Sequence, residues 1–541
     1  VPIVLARSDS GALATRVDDD GAVLGVEPVP DLLAFVAFEE ASHPRWVWDD
    51  TSRWYPELLA AGIRVDRCFD LRLCHAILRN SALTASSALA AAPPGEWDAP
   101  AAAPRTARPE ALFDLDEPQA APDPVAEFQA QRAAVAECPE PGRIGRLLAA
   151  ESAGALVAAE MRFAGLPWRA DIHDAILTGI LGARPADGAR PSKMQEKLDE
   201  LRVVLESPEL NPDSPADLLG ALGRAGLQVT STRSWELKQL AHPAIAPLLE
   251  YKKLSRLMSA NGWHWLDTWV VDGRFRPDYV PGGVVTGRWA TSGGGALQLP
   301  KQVRGAVTAD EGWKLVVADA AQLEPRILAA LAGDRGMVEA GAAGDLYAGI
   351  VASGAVKTRD QAKVAMLGAM YGATTGESGR LMPGLTRAYP RAIGLVEEAA
   401  RAGERGEVVS TRLGRSSPPG PHAGTYDETV AARSRERARA WGRFTRNFIV
   451  QGTAAEWALC WMASIRRRLA AIDPTLSLTD APHLVFFLHD EIVVHTPEAL
   501  AARVVQEVTA AAAEAGTLLF GDLPVTFPLS VATVSDYGSA K

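Results

Sequence analysis

The segment HLVFFLHDEIVVHTP (483–497) constrains this chain more than any other. Two apolar runs of strand length flank His-Asp-Glu, which predicts a β-hairpin with acids at its tip. Gly and Asn build such a tip most readily, so acids there point to a use beyond turning. Carboxylates at the end of a buried sheet present oxygen to a cation. A solvated turn is the alternative.

A second acid has a similar setting. WKLVVADAAQLEPRILAALAGD (313–334) predicts a buried strand running into a helix, with Pro325 in an early turn where proline is tolerated. Asp319 falls at the junction, where the sheet fixes its backbone and its carboxylate can reach a metal or cap the helix. Between these segments lies TRDQAKVAMLGAMYG (358–372). Arg359, Lys363, Leu367 and Tyr371 recur every four residues and share one face of a predicted helix. That face is cationic at one end and apolar-aromatic at the other, over roughly 18 Å. It matches a nucleoside triphosphate, although a half-buried amphipathic helix with two snorkelling cations has the same pattern.

Bulk properties narrow the class. A chain of 541 residues exceeds one core and predicts two to four domains. No apolar run reaches the 18 residues of a membrane span, and VPIVLARSDSG at the N-terminus is not patterned as a secretion signal. The four cysteines show neither zinc nor disulfide spacing, which fits a reducing cytoplasm. A net charge of -11 argues against indiscriminate binding of polyanions. The basic clusters RSRERARAWGRFTRN (433–447) and SIRRRL (464–469) still leave room for a local nucleic-acid track, with solvated helix faces as the alternative.

Residues 1–84 predict short strands and helices, with strands at LLAFVAF (32–38) and PRWVWDD (44–50) and two helices around GIRV (62–65). The Ala/Pro-rich stretch 85–125 predicts a poorly ordered linker or long loop. Helices are expected over 144–165, stopping at Gly165, over 214–226 and over 242–262. Beyond 263 strands and helices alternate.

The order strand-Asp, basic helix, hairpin-Asp resembles the family A DNA polymerases, the bacterial DNA polymerase I group. TGRWATSGGGALQLP (286–300), NFIVQGTAAEW (447–457) and STRSWELKQLAHPAIAPLLEYKKLSRLMS (231–259) are similar to further segments of that family. The resemblance extends over roughly residues 150–541. It implies a multidomain α+β, mixed α/β right hand with a palm sheet and helical fingers and thumb, behind an N-terminal ribonuclease-H-like domain of exonuclease type. The corresponding spans are 1–150 for the exonuclease-like domain, 151–262 for the thumb and connecting helices, and 263–541 for the palm and fingers, the fingers at about 335–425. The implied activity is DNA-directed DNA synthesis in repair or replication, with two Mg²⁺ ions (or Mn²⁺), dNTPs and primer-template DNA, by a monomer in the bacterial cytoplasm at the nucleoid.

By the same resemblance, Asp319, Asp490 and the Ala320 carbonyl hold metal, with Glu491 behind them. Arg359 and Lys363 take the triphosphate, and Tyr371 stands beside the templating base ahead of Gly372. Glu324 excludes a 2′-hydroxyl, with Gln322 as its neighbour and Leu367 at the position of a sugar-stacking aromatic. Arg288, Gln298, Arg443, Asn447, Gln451 and His489 contact primer or template. The chain departs from the family in reading Ala-Ala-Gln-Leu-Glu-Pro-Arg after Asp319, in Tyr347 where a histidine is frequent, and in Leu367. In the N-terminal part only Asp70 falls near an exonuclease acid. The strand expected to carry Asp-x-Glu ends Phe38-Glu39-Glu40, and the helix expected to carry Tyr-x-x-x-Asp reads AAESAGALVAAEM (149–161). Proofreading is therefore expected to be absent, and a preceding 5′ nuclease domain is not expected. The alternatives are residual 3′–5′ exonuclease activity, a single-subunit RNA polymerase, which Glu324 opposes, and a non-catalytic DNA-binding scaffold.

Overall fold

Three strands open the chain, β1 (Pro2–Ser8), β2 (Gly11–Val17) and β3 (Val23–Val29), each antiparallel to the next. On the other side of β1, β4 (Arg45–Trp48) and β5 (Arg67–Asp70) continue in parallel, giving the order β3-β2-β1-β4-β5. Ile3, Leu5, Trp46 and Trp48 from the sheet and Trp54, Tyr55 and Leu58 from a covering helix form one apolar core. The structure is a computed structural model and describes residues 1–8, 11–99, 123–186, 188–373, 376–420 and 428–540, without side chains at 428–432.

LLAFVAF, expected as a strand, is instead helix α1 (Leu32–Glu40). The Asp31 carboxylate caps it by accepting from the Ala34 amide at 3.0 Å. Leu32 and Val36, four apart, are buried while Phe38 is 79% exposed, which is a helical and not an alternating pattern. A short apolar run cannot by itself distinguish the two, and the cap decides it. Glu39 and Glu40 consequently end no strand. Glu39 accepts from both terminal nitrogens of Arg16, and Glu40 from the Trp46 indole (2.6 Å) and the Asp66 amide (2.7 Å).

The strand expected at 44–50 forms as β4. The two helices expected around GIRV form as α2 (Thr51–Ala60) and α3 (Leu71–Asn80), with β5 unforeseen between them. Part of the Ala/Pro-rich stretch is ordered, contrary to expectation. Ala88–Ala91 makes a helical turn, and Arg79 holds it through the carbonyls of Leu89 (2.8 Å) and Ala92 (2.6 Å). Positions 100–122 of that stretch lie outside the described residues.

By its contacts the chain divides into two compact units. The larger comprises Val1–Ala164, Asp278–Ser292 and Val316–Ala532, and the smaller Gly165–Pro277, Gly293–Leu315 and Thr533–Lys541. Within the larger unit the helix expected over 144–165 forms as Pro141–Ala164. Its buried Glu160 accepts from Tyr55 (2.7 Å), Arg64 (2.9 Å) and Arg466 (2.8 Å). Arg466 also donates to the carbonyls of Val65 and, at 2.7 Å, Asp66. Burial acts to raise the Glu160 carboxyl, but Arg466 and Arg64 outweigh it and hold it at about 2.

Arg466 belongs to a 43-residue helix, Glu428–Ala470, which packs against Pro390–Glu404 and Ala501–Phe520. Trp457 and Trp461 on this helix are fully buried. A second sheet takes its strands in the order His483–Leu488, Glu491–Pro497, Trp313–Ala320, Leu529–Val534.

In the smaller unit, the helices expected over 214–226 and 242–262 form as Pro215–Arg224 and Ile245–Asn261. Trp168, His173, Trp265 and Phe275 cluster there, with ring centroids 5.0–5.8 Å apart. Burial lowers the His173 imidazole to about 4, against the raising effect of its bond to the Asn261 carbonyl. Among the described residues no helix is long and apolar enough to cross a membrane.

Candidate active site

Leu315–Ala318 are buried in their strand, and Asp319 emerges half-buried at its end. The hairpin pairs Phe487 with Ile492 and Leu488 with Glu491, so the turn is His489–Asp490. Glu491 starts the second strand and is buried, which leaves Asp490 as the one acid at the tip where two were expected. His489 supplies the positive φ (+60°) that glycine would adopt without strain. The Ala320 amide donates to the Asp490 carbonyl at 2.9 Å, which sets the two acids at adjoining strand ends. The hairpin is buttressed by Tyr279, whose hydroxyl donates to the Phe487 carbonyl (2.6 Å) and accepts from the Phe487 amide (3.0 Å). Trp289 packs 5.2 Å from both rings.

Two half-buried carboxylates on adjoining strands form an oxygen donor set, which suits Mg²⁺ or Mn²⁺. Among the described residues no group of three or more His, Cys, Asp or Glu is arranged to hold a metal. The remaining coordination positions of such an ion would fall to water and main-chain carbonyls.

The helix Arg359–Tyr371 is capped by the Thr358 hydroxyl, which accepts from the Gln361 amide. Ala362, Ala365, Met366, Ala369 and Met370 are buried on one side, and Arg359, Lys363, Leu367 and Tyr371 are exposed together on the other. Buried Arg446 fixes the helix from behind through the Ala369 carbonyl (2.9 Å) and Glu397. The helix ends at Gly372, whose φ of +74° and closeness to Arg443 both exclude a side chain, since a Cβ would lie 2.8 Å from the Arg443 Cγ.

Glu324 lies near the start of the helix Leu323–Ala332. Its carboxylate accepts from Arg288 and from the Tyr371 hydroxyl at 3.0 Å. Burial and this carboxylate raise the Tyr371 phenol, while a bond from Gln451 acts against them. Burial and the charge of Arg288 lower the His489 imidazole, against the raising effect of Glu324. The structure thus brings Arg288, Glu324, Tyr371, Gln451 and His489 together.

Gln322 stands three residues beyond Asp319 in a left-handed conformation (φ +55°). Its side-chain amide donates to Asp345 at 2.7 Å and accepts from the Leu346 amide at 2.8 Å. Asp345 also accepts from Arg359 Nε at 2.8 Å. Asn447 has a buried Oδ1 without a hydrogen-bond partner among the described residues. Gln298 belongs to the smaller unit, exposed at the end of the turn Ala296–Gln298.

The segment around Gln451 explains itself locally. A Cβ on Gly452 would lie 2.5 Å from Thr411 and 3.0 Å from the Thr286 carbonyl, so the long helix approaches both there. Thr453 and Glu456 then accept the amides of Arg412 (3.0 Å) and Leu413 (2.8 Å).

The family model for DNA polymerase family A matches residues 190–537. The chain belongs to DNA polymerase family A. A thermostable DNA polymerase I of Thermus thermophilus is 27% identical over 344 residues, 58% of this chain and 38% of that protein. The DNA polymerase I of Chloroflexus aurantiacus is 28% identical over 356 residues, 60% of this chain and 35% of that protein. The chain thus spans well under half the length of these curated relatives. Among solved structures, the POL domain of Pol1 from M. smegmatis, in complex with DNA primer-template and dNTP, superposes with a TM-score of 0.68 at 19% identity. The superposition covers 100% of this chain and 95% of that one, a likeness of fold.

Every residue of the expected site lies inside the span shared with family A, from Arg288 to Glu491. Sequence reasoning missed Asp345 and Arg446. Asp345 was visible only as an acid before a short helix. Arg446 is an unremarkable member of a basic run until its burial is known.

Proposed function

We propose that this family A chain performs template-directed DNA synthesis, transferring a nucleotide from dNTP to a primer 3′-hydroxyl. The observation that carries the reading is the junction at which the Ala320 amide meets the Asp490 carbonyl, setting Asp319 and Asp490 side by side. Asp319, Asp490 and the Ala320 carbonyl would hold Mg²⁺ or Mn²⁺. When bound, such ions lower the pKa of the attacking hydroxyl and neutralise charge on the triphosphate.

The exposed face of Arg359–Tyr371 lies along the nucleotide. Lys363 acts as a point charge on phosphate and Arg359 as a fork. Leu367 and Tyr371 take the sugar and base end, and Glu324 bars a 2′-hydroxyl. Arg443, Asn447, Gln451, His489 and Gln298 contact the primer-template without reading its sequence. The bond from the 3′-oxygen to the α-phosphorus forms as the bond to pyrophosphate breaks. Residues 151–262 would serve as thumb and 335–425 as fingers. The mixed order of the first sheet supports an exonuclease-type N-terminal domain.

The test is primer extension with Mg²⁺, run beside primer-template binding. Asp319→Asn and Asp490→Asn should each lose extension by at least about a thousandfold and keep DNA affinity, because each carboxylate serves metal and not DNA. Near-normal extension by either variant would overturn the mechanism. Extension with rNTPs in preference to dNTPs would favour an RNA polymerase.

A further inference from the structure

The side chain of Arg359 is held on two sides. Its Nε donates to Asp345 at 2.8 Å, and its guanidinium lies over the Tyr347 ring, 5.5 Å from the centroid. Neither terminal nitrogen has a hydrogen bond among the described residues, and the side chain is 56% exposed. A guanidinium gripped at its Nε edge and one face has only its terminal edge to present, and that is the edge that forks onto an oxyanion.

Asp345 is itself immobilised. Besides Arg359 it accepts from Gln322 (2.7 Å) and from the amides of Tyr347 (3.0 Å) and Ala348 (3.2 Å). Burial acts to raise this carboxyl, but the bonds from Arg359, Gln322 and the Ala348 amide hold it at about 2, so it is ionised throughout the working range. Gln322 ties the arrangement to the strand end that carries Asp319, because its left-handed backbone and its bond to the Leu346 amide fix where its side chain points.

We propose that Asp345, braced by Gln322, and Tyr347 are positioning residues that aim the terminal nitrogens of Arg359 at the triphosphate of the incoming nucleotide. Gln322 ties them to the turn that follows Asp319. The inference rests on Arg359 as a triphosphate contact. Asp345 never meets the substrate. It orients the cation that does, and the ring of Tyr347 keeps the guanidinium from rotating out of that plane. Pre-orientation lowers the entropy lost on nucleotide binding and leaves the chemical step alone, so the effect belongs in KM.

Single-nucleotide extension kinetics for wild type, Asp345→Asn, Arg359→Ala and the double variant test this. Asparagine still caps the short helix, so folding is preserved while the charged bond to Arg359 is lost. Asp345→Asn should raise the dNTP KM roughly tenfold, with kcat within about twofold and primer-template affinity unchanged. In the Arg359→Ala background the same change should add nothing. Tyr347→Ala should raise KM in the same way, and Tyr347→Phe by less. An unchanged KM in Asp345→Asn, or a full additional loss on top of Arg359→Ala, would overturn the inference while leaving the polymerase reading intact. A wild-type chain that extends no primer would sink that reading and this one with it.

Discussion

Glu324 accepts from Arg288 and Tyr371 at once, which makes it a fixed wall and not a loose side chain. Truncation opens its volume and leaves both donors without their acceptor. Glu324→Ala should therefore raise the rNTP-to-dNTP ratio of kcat/KM by at least about tenfold, measured in competition on one template. An unchanged ratio would remove Glu324 from sugar selection. At this scale the sequence was informative where chemistry follows a period. Arg359, Lys363, Leu367 and Tyr371 were placed on one face because a helix repeats, and they are exposed together. The bond between Asp345 and Arg359 was not legible, since it joins the cap of one helix to the first residue of another, 14 positions apart, and no local rule pairs them. The pairing of Arg288 with Glu324 was hidden for the same reason.

Among elements, those that carry the acids could be foreseen and α1 could not. The strand Trp313–Ala320 and the hairpin are long, apolar and bounded by charged residues, so pattern and structure agree. LLAFVAF is as apolar as a strand, and only the Asp31 cap separates the two possibilities. β5, at four residues, is too short to leave a pattern. The end of the helix Arg359–Tyr371 depends on Gly372. Alanine there would carry a Cβ at positive φ against Arg443, at a cost of about 1–2 kcal/mol. Gly372→Ala should accordingly speed amide hydrogen exchange over residues 366–372 by on the order of tenfold, with other helices unaffected. Uniform exchange across the chain would instead mean that the cap is not a local stop.

Across the whole molecule, the buried group at Glu160 joins α2, the approach to β5, Pro141–Ala164 and the long helix. Glu160 binds its proton more weakly in the folded chain (about 2) than an unperturbed glutamate at 4.5. Its contribution is therefore complete above about pH 4.5 and is lost as pH falls through about 2. The difference corresponds to about 3 kcal/mol. Urea midpoints measured between pH 6 and pH 2.5 should fall more in wild type than in Glu160→Gln, which has no such proton to bind. A parallel loss in both would assign the acid sensitivity elsewhere. The N-terminal region is also expected to lack proofreading. Asp70 is buried and already accepts from the Thr51 amide and hydroxyl (2.7 Å each) and the Leu73 amide (3.1 Å), so it serves as a double cap. A labelled single strand incubated with Mg²⁺ or Mn²⁺ should stay full length. Trimming that vanishes in Asp70→Ala would reverse that assignment.

The Arg466 cluster also bears on how this protein can be made. Tyr55, Arg64, Val65 and Asp66 come from before residue 100, whereas Glu160 and Arg466 come after residue 122. Were the chain interrupted between those two points, the longer piece would keep the Glu160–Arg466 ion pair, while the shorter would carry Tyr55 and Arg64 without their acceptor and an apolar surface fitted to the other. The cut would leave Arg64 without its buried carboxylate and Arg466 without the carbonyls of Val65 and Asp66. Two separately encoded chains should for that reason recover each other from solution and assemble as a heterodimer, and the shorter one should be insoluble when produced alone.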